Sequence, residues 1–389
     1  MSKSTSLQWC DSTANPLMGC CGCELWPTRS QITASIMTAL QISSFVEIAI
    51  IKSLLADMNA TEIYHARKSL SSVILESVSP GAPPRRAKII ERAIASGYRC
   101  YAGILHLRYG RDHTQPEKVI NKGYAPNFET LTHFPGRMSK AASLSDLRAK
   151  GRPDKPWANG LPRLIFVSDM ADALSSSVRF DYLKMEVIDS VVSQAGQKHV
   201  WLWLSKRPNR MAEFSRWLTD QGIHWPDNLV AMTSITSSAT VARIEQLKEV
   251  QCRYRGLSVE PLWDSVTLPL VGISWCIVGG ESGPYAKPFK LEWAYSLIAQ
   301  CRESGVATFV KQLGARPYLN GLPYELIDSH GGDWDEWPMD LRVREFPNFN
   351  SVVKLPRSYV SSCSVSCNTI TPVTGELGEV GLFVTPRTV

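Results

Sequence analysis

Between residues 160 and 315, short apolar runs alternate with longer amphipathic segments, and this pattern constrains the fold more than any other feature. The runs are Arg163–Val167, His199–Leu204, Leu229–Met232, Tyr254–Val259, Ser274–Val278 and Ala307–Val310. Helical patterns fill the gaps, over Phe180–Gln194, Asn209–Gln221, Thr240–Glu249 and Lys290–Ser304. A strand reads as continuously apolar when both faces of its sheet are covered, and the intervening helices supply the cover. The sequence therefore predicts βαβ units with right-handed crossovers. Six such strands, with more expected before residue 160, suit a parallel (β/α) barrel, partial or complete and TIM-like, better than a small doubly wound sheet.

The flanking segments divide by pattern. Residues 31–97 read as a helical insertion, with helical stretches at Gln31–Leu55, Thr61–Glu76 and Arg85–Ser96 and a break at Ser77–Pro84. Residues 110–135, rich in His, Pro and Asn, read as a long loop. From residue 346 to 389 the chain turns rich in Ser, Thr and Val and reads as an extended or disordered tail. The barrel domain is then assembled from residues 1–30 and 98–345. Ser43–Leu55 is apolar but shorter than the ~18 residues of a membrane span, and reads as a buried helix. The polar N-terminus lacks the apolar core of a secretion signal. A cytoplasmic protein without a membrane partner is expected.

In such a compartment ten cysteines do not form a disulfide framework. Four of them, Cys10, Cys20, Cys21 and Cys23, crowd into the first 23 residues, which points to metal or redox chemistry. Cys20 and Cys23 form a CxxC pair on a Gly/Pro-rich turn, a spacing that lets two thiolates share one metal or two corners of a cluster. Cys100 opens another helix. Three thiolates would leave one coordination position open, as catalysis requires, whereas Cys10 or Cys21 as a fourth ligand would make the site structural. Cys363 and Cys367, in the tail, are not expected to bind metal.

In parallel α/β folds, ligands gather at the carboxyl ends of the strands. Those positions carry Asp169 and Asp172, Lys206 and Arg207, Glu260, the turn Gly279-Gly280-Glu281-Ser282-Gly283, and Lys311-Gln312. Charged groups on one rim repel or lose hydration unless they are partnered by each other or by a polar ligand. The glycine-rich turn offers backbone amides at close range, with Glu281 as an acceptor.

Several segments together resemble one family. They are Trp9-x-Asp11, Asn15-Pro16, Gly19-Cys20, Cys100-Tyr101-Ala102, Ile165-Phe166-Val167 with Met170 and Asp172, Lys206-Arg207-Pro208, Glu260-Pro261, the Gly279–Gly283 turn and Lys311-Gln312. In this order, between Trp9 and Pro338, they resemble the phage-type three-Cys-motif family, radical-SAM-like proteins of phages and bacteria. The chain departs from the family pattern in the 76 residues from Glu24 to Arg99, which separate the second and third cysteines. The resemblance implies a barrel of the radical-SAM type in which Cys20, Cys23 and Cys100 hold a [4Fe–4S] cluster and S-adenosylmethionine binds its fourth iron. It further implies that Gly279, Gly280, Glu281, Ser282, Gly283 and Gln312 lie at the cofactor and that Asp169, Asp172, Lys206, Arg207, Glu260 and Lys311 form the catalytic rim.

Basic residues at Arg85-Arg86-Lys88, Arg92, Arg99, Arg108, Arg111 and Arg148–Lys155, near Tyr98, Tyr101, Tyr109, Tyr124 and Phe128, suggest a nucleic acid or nucleotide substrate. The net charge of +6 is modest for such a role. A radical enzyme would also call for an electron-donor reductase. Two other readings stay open: a zinc-dependent hydrolase or nuclease using Asp169, Asp172 or Glu260 as base, and a metal-stabilised nucleic-acid-binding module without catalysis.

Overall fold

The computed structural model describes residues 5–20, 22–109, 125 and 128–353. Cys21, Arg111, Tyr124 and the tail from residue 354, with Cys363 and Cys367, lie outside the described residues, as does the side chain of Tyr109.

Seven parallel strands make one sheet, curled into a half-barrel. They are β1 (Ser12–Ala14), β2 (Leu164–Val167), β3 (Val200–Ser205), β4 (Leu229–Ser234), β5 (Arg255–Val259), β6 (Trp275–Gly279) and β7 (Ala307–Gln312), and they lie side by side in sequence order. Of the two alternatives the sequence allows, partial and complete, the structure takes the partial one. The expected apolar runs became β2 to β7. A further strand is expected before residue 160, but the sequence pattern does not locate β1, three small residues that pair with Ile165, Phe166 and Val167.

Alternation along the strands sorts side chains to two faces. Ile165, Val167, Trp201, Trp203, Leu257 and Val278 face the covering helices, among them Pro208–Asp220 and Leu291–Glu303, in the largest core cluster. On the concave face, Leu164, Phe166, Val200, Leu202, Val230, Met232, Ile277 and Phe309 fill the lumen with Trp9, Cys10 and Phe349. The ordered chain thus runs past residue 346: Phe349 is fully buried, and Trp275 lies edge-on to it, their ring centroids 5.7 Å apart. An aromatic residue that plugs the lumen floor is invisible to a composition argument that sees only the Ser- and Thr-rich stretch around it.

The insertion is helical as expected, in four pieces, α1 (Arg29–Leu40), α2 (Phe45–Leu55), α3 (Ala60–Val78) and α4 (Arg85–Ser96), and α5 (Tyr101–Tyr109) follows it. The stretch Gln31–Leu55 is not one helix. Gln41 takes a left-handed conformation and closes α1 with its amide on Met37 and Thr38. Nor is Ser43–Leu55 a buried helix: Phe45 is 85% exposed, and within α2 only Ile51 and Leu55 are fully covered. The insertion has its own core, from Ile32 and Ile36 through Ile63, Ile74, Ile90 and Ile94. That core also includes Cys20 and Met170, so it is seated on the mouth of the half-barrel.

Candidate cluster site at the mouth of the half-barrel

Five of the lumen-facing columns end in a polar residue at the carboxyl end of their strands, whereas the Trp275-x-Ile277 column ends in Gly279. Leu164-x-Phe166 continues to Ser168, Leu202-x-Leu204 to Lys206, Val230-x-Met232 to Ser234, Gly256-x-Ser258 to Glu260 and Phe309 to Lys311. The lumen is therefore apolar below and polar at its mouth. Lys311 pairs with Glu260 across the mouth. The hydroxyls of Ser168 and Ser234 are buried with no hydrogen-bond partner. An unmet buried hydroxyl is costly in a finished core and suits a place where a polar ligand sits.

The cysteine loop is built onto this mouth by four ties. Gly19 donates to Met170 O (3.4 Å), and Cys20 donates to Phe128 O (2.7 Å). Arg207 bridges Asp172 (2.9 Å) and Gly22 O (2.9 Å). Glu24 is held by Arg243 through two contacts of 2.8 Å. At the far end of the insertion, Arg99 donates its amide to Leu25 O (3.0 Å) and its guanidinium to Glu281 (2.7 and 2.8 Å). Cys100 follows directly.

These ties bring Cys100 back to Cys20 and Cys23 across the insertion. Burial, above all, holds the Cys100 thiol up at about 12, and the thiols of Cys23 and Cys20 push it the same way, against Lys206. Cys23 is likewise raised by burial and opposed by Lys206; Cys20 is raised by burial and by Asp172. For Lys206, burial disfavours the charge, but Cys23 and Cys100, then Glu24 and Asp172, outweigh it and raise its pKa. Two thiols, Cys23 and Cys100, thus act on one ammonium, and Cys20 acts on Cys100 while Cys23 acts on Cys20. Cys10 stands apart: it lies in the lumen, where burial raises its pKa, and the charged groups that act on it are Lys155, Asp169, Asp11 and Lys311.

The other expected site residues separate into ligand-facing and structural positions. Asp172 accepts from Ser205 Oγ (2.8 Å), the Lys206 amide (3.0 Å) and Arg207, so it braces the ends of β2 and β3. Asp169 is held by Asn15 Nδ2 (2.5 Å), and burial raises its carboxyl pKa despite bonds from Asn15 and Thr13. Glu281 has its oxygens taken by Arg99, Trp263 Nε1 (3.3 Å) and the Lys287 amide (2.9 Å). Gly280 is required by packing, since a Cβ there would sit 2.3 Å from Leu313 O. Gly279 lies against the Glu260 side chain, and Gly283 has a φ of +104°. Gln312 Nε2 donates to Gly280 O (2.9 Å) and Ser282 Oγ (2.7 Å). Glu24 and Arg243 are site residues that the sequence pattern did not expose, although Glu24 adjoins a cysteine; the sequence singles out Asn15 and Arg99, but not for the ties they make here.

Among the described residues, no three or more His, Cys, Asp or Glu are grouped so as to hold a single metal ion.

A family model matches residues 92–336. The chain belongs to the family described as a protein of unknown function, DUF5131. The DUF5131 match begins inside α4 and takes in Cys100, the strand-end rim and the glycine turn, but leaves Cys20 and Cys23 outside. No curated protein and no solved structure matches the chain.

Proposed function

We propose that this protein is an iron–sulfur enzyme of the radical S-adenosylmethionine type, working at the mouth of its half-barrel. The observation that carries the reading is the return of Cys100 to Cys20 and Cys23, with Lys206 beside Cys23 and Cys100. The donor set is three sulfurs, which favours iron–sulfur ligation over oxygen-loving metals. When bound, the [4Fe–4S] cluster would supply one electron to cleave a carbon–sulfur bond of S-adenosylmethionine and release a 5′-deoxyadenosyl radical.

The chain's own groups have separable tasks in this scheme. Lys206 offsets negative charge on the thiolates. Ser168, Ser234 and the Glu260–Lys311 pair offer donors and acceptors to the polar groups of the sulfonium ligand. Gln312 and Ser282 fix the glycine turn that would lie against it. Asp172, Arg207, Glu24 and Arg243 hold the cysteine loop in place. The apolar lumen below excludes water, which a carbon radical requires. A cavity of about 740 Å³ beside Cys23, lined also by Glu24, Arg29, Asn59 and Glu129, gives a reductase-type electron donor its approach.

Anaerobic reconstitution tests this reading. The wild type is expected to turn brown, absorb near ~400 nm and release 5′-deoxyadenosine on reduction, with each of Cys20→Ala, Cys23→Ala and Cys100→Ala losing iron. A colourless protein with stoichiometric zinc would overturn it and support the hydrolase reading.

A further inference from the structure

Helix α4 carries four basic residues, Arg85, Arg86, Lys88 and Arg92, against one acid, Glu91. Glu91 is drawn toward Arg67 of α3, at 3.6 Å. None of the four basic side chains makes an ion pair or hydrogen bond with a described residue. Four arginines at the site or in the core are treated differently: Arg99, Arg152, Arg207 and Arg243 grip carboxylates. Arg85, Lys88 and Arg92 are exposed and share one face of the helix with Ile89, while Ile90 and Ile94 bury the other. That face spans about 10 Å at 1.5 Å per residue. It leads to the site, because α4 ends at Ser96 and the chain reaches Arg99 and Cys100 within four residues.

A row of unneutralised cations is complementary to a polymer of regularly spaced anions. An enzyme that acts on a base needs that base out of a duplex, which single-stranded substrate provides. We propose that the exposed face of α4 is a docking surface for single-stranded nucleic acid and guides it toward the barrel mouth. This names the substrate class of the enzyme reading and rests on that reading for the chemistry. The docking itself requires no cluster.

The test is fluorescence anisotropy of the full chain with labelled single-stranded RNA and DNA of about 20 nucleotides, across a salt series. The triple variant R85A/K88A/R92A should bind about tenfold more weakly or worse. Its plot of log affinity against log salt should be shallower by about 2, three phosphate contacts at ~0.7 each. The charge-reversed triple R85E/K88E/R92E should lose more, with both variants melting like the wild type. Wild-type binding that is absent at about 50 mM salt would overturn the proposal. So would variants with unchanged affinity and slope, or a preference for phosphatidylserine vesicles over either oligonucleotide. Iron content of the same samples separates the two readings. Iron-free protein that docks through α4 would sink only the enzyme, and iron-loaded protein with an indifferent triple variant would sink only the docking.

Discussion

Arg99 holds Glu281 with one guanidinium nitrogen 2.8 and 2.7 Å from the two carboxylate oxygens, across 182 residues of sequence. The same nitrogen reaches Tyr285 O at 3.0 Å, and the Arg99 amide is bound to Leu25 O. Three pieces meet at this residue: the cysteine loop, the end of the insertion and the glycine turn after β6. Arg99 is therefore a positioning residue for Cys100, its neighbour in the chain.

Glu281→Gln keeps the shape but removes the charge that Arg99 answers, and Arg99→Ala leaves a carboxylate that is only 8% exposed without its partner. Breaking a pair this well buried costs about 3 kcal/mol. Both variants should melt lower and take up less iron per chain, with the glutamine variant the milder. A charge-exchanged R99E/E281R double variant should recover part of both. Loss of melting temperature with full iron loading would show that the pair stabilises the fold without positioning Cys100.

The sheet was legible because parallel strands covered on both faces must be apolar throughout: Leu164–Val167 and Val200–Ser205 lie within a residue of the runs that predict them. The cysteine spacing was legible because CxxC is a local signature. The ties that assemble the site were not, since Arg99–Glu281, Arg207–Gly22 and Arg243–Glu24 join residues more than 180 positions apart and leave no periodic trace. Strand β1 was illegible for another reason. Ser12, Thr13 and Ala14 are buried by their neighbours rather than by their own hydrophobicity.

Gly19 sets the entry of the cysteine loop. Its φ is +92°, and a Cβ would lie 2.4 Å from Thr130 O and 2.9 Å from Phe128 O, the oxygen that receives the Cys20 amide. Gly19→Ala combines left-handed strain, worth about 1–3 kcal/mol, with a backbone clash that no rotamer relieves. Iron uptake should fall sharply even where circular dichroism shows a folded protein. Full iron content in this variant would mean that the loop is not templated by the Phe128–Thr130 backbone.

His199 should dominate the acid sensitivity of the barrel. It is fully buried beneath β3, with Nε2 3.0 Å from Ala142 O, and burial first of all lowers its pKa to about 4. The unfolded value is near ~6.5, so the folded state resists the proton. Stability from this group is complete above pH ~6.5 and declines as pH falls toward ~4, by about 3 kcal/mol. His199→Gln can keep a donor for Ala142 O without titrating. Its stability should change less than that of the wild type over this window in urea denaturation, whereas parallel curves would assign the acid loss to other groups.

Asp169 links stability to the chemistry proposed at the mouth. Its carboxyl is raised by burial, against the hydrogen bonds from Asn15 and Thr13. An acid whose folded pKa lies above its unfolded value favours the fold at low pH, and that contribution is lost as pH rises through the folded value. Asp169→Asn keeps an oxygen for the Asn15 donor and carries no charge to bury. At pH ~7 the variant should melt higher than the wild type, and the gain should shrink as pH falls through the raised value of the wild-type carboxyl. If Asp169 faces the ligand, release of 5′-deoxyadenosine should drop while iron content holds. A stabilised variant with full turnover would confine Asp169 to bracing Asn15 and remove it from the catalytic rim.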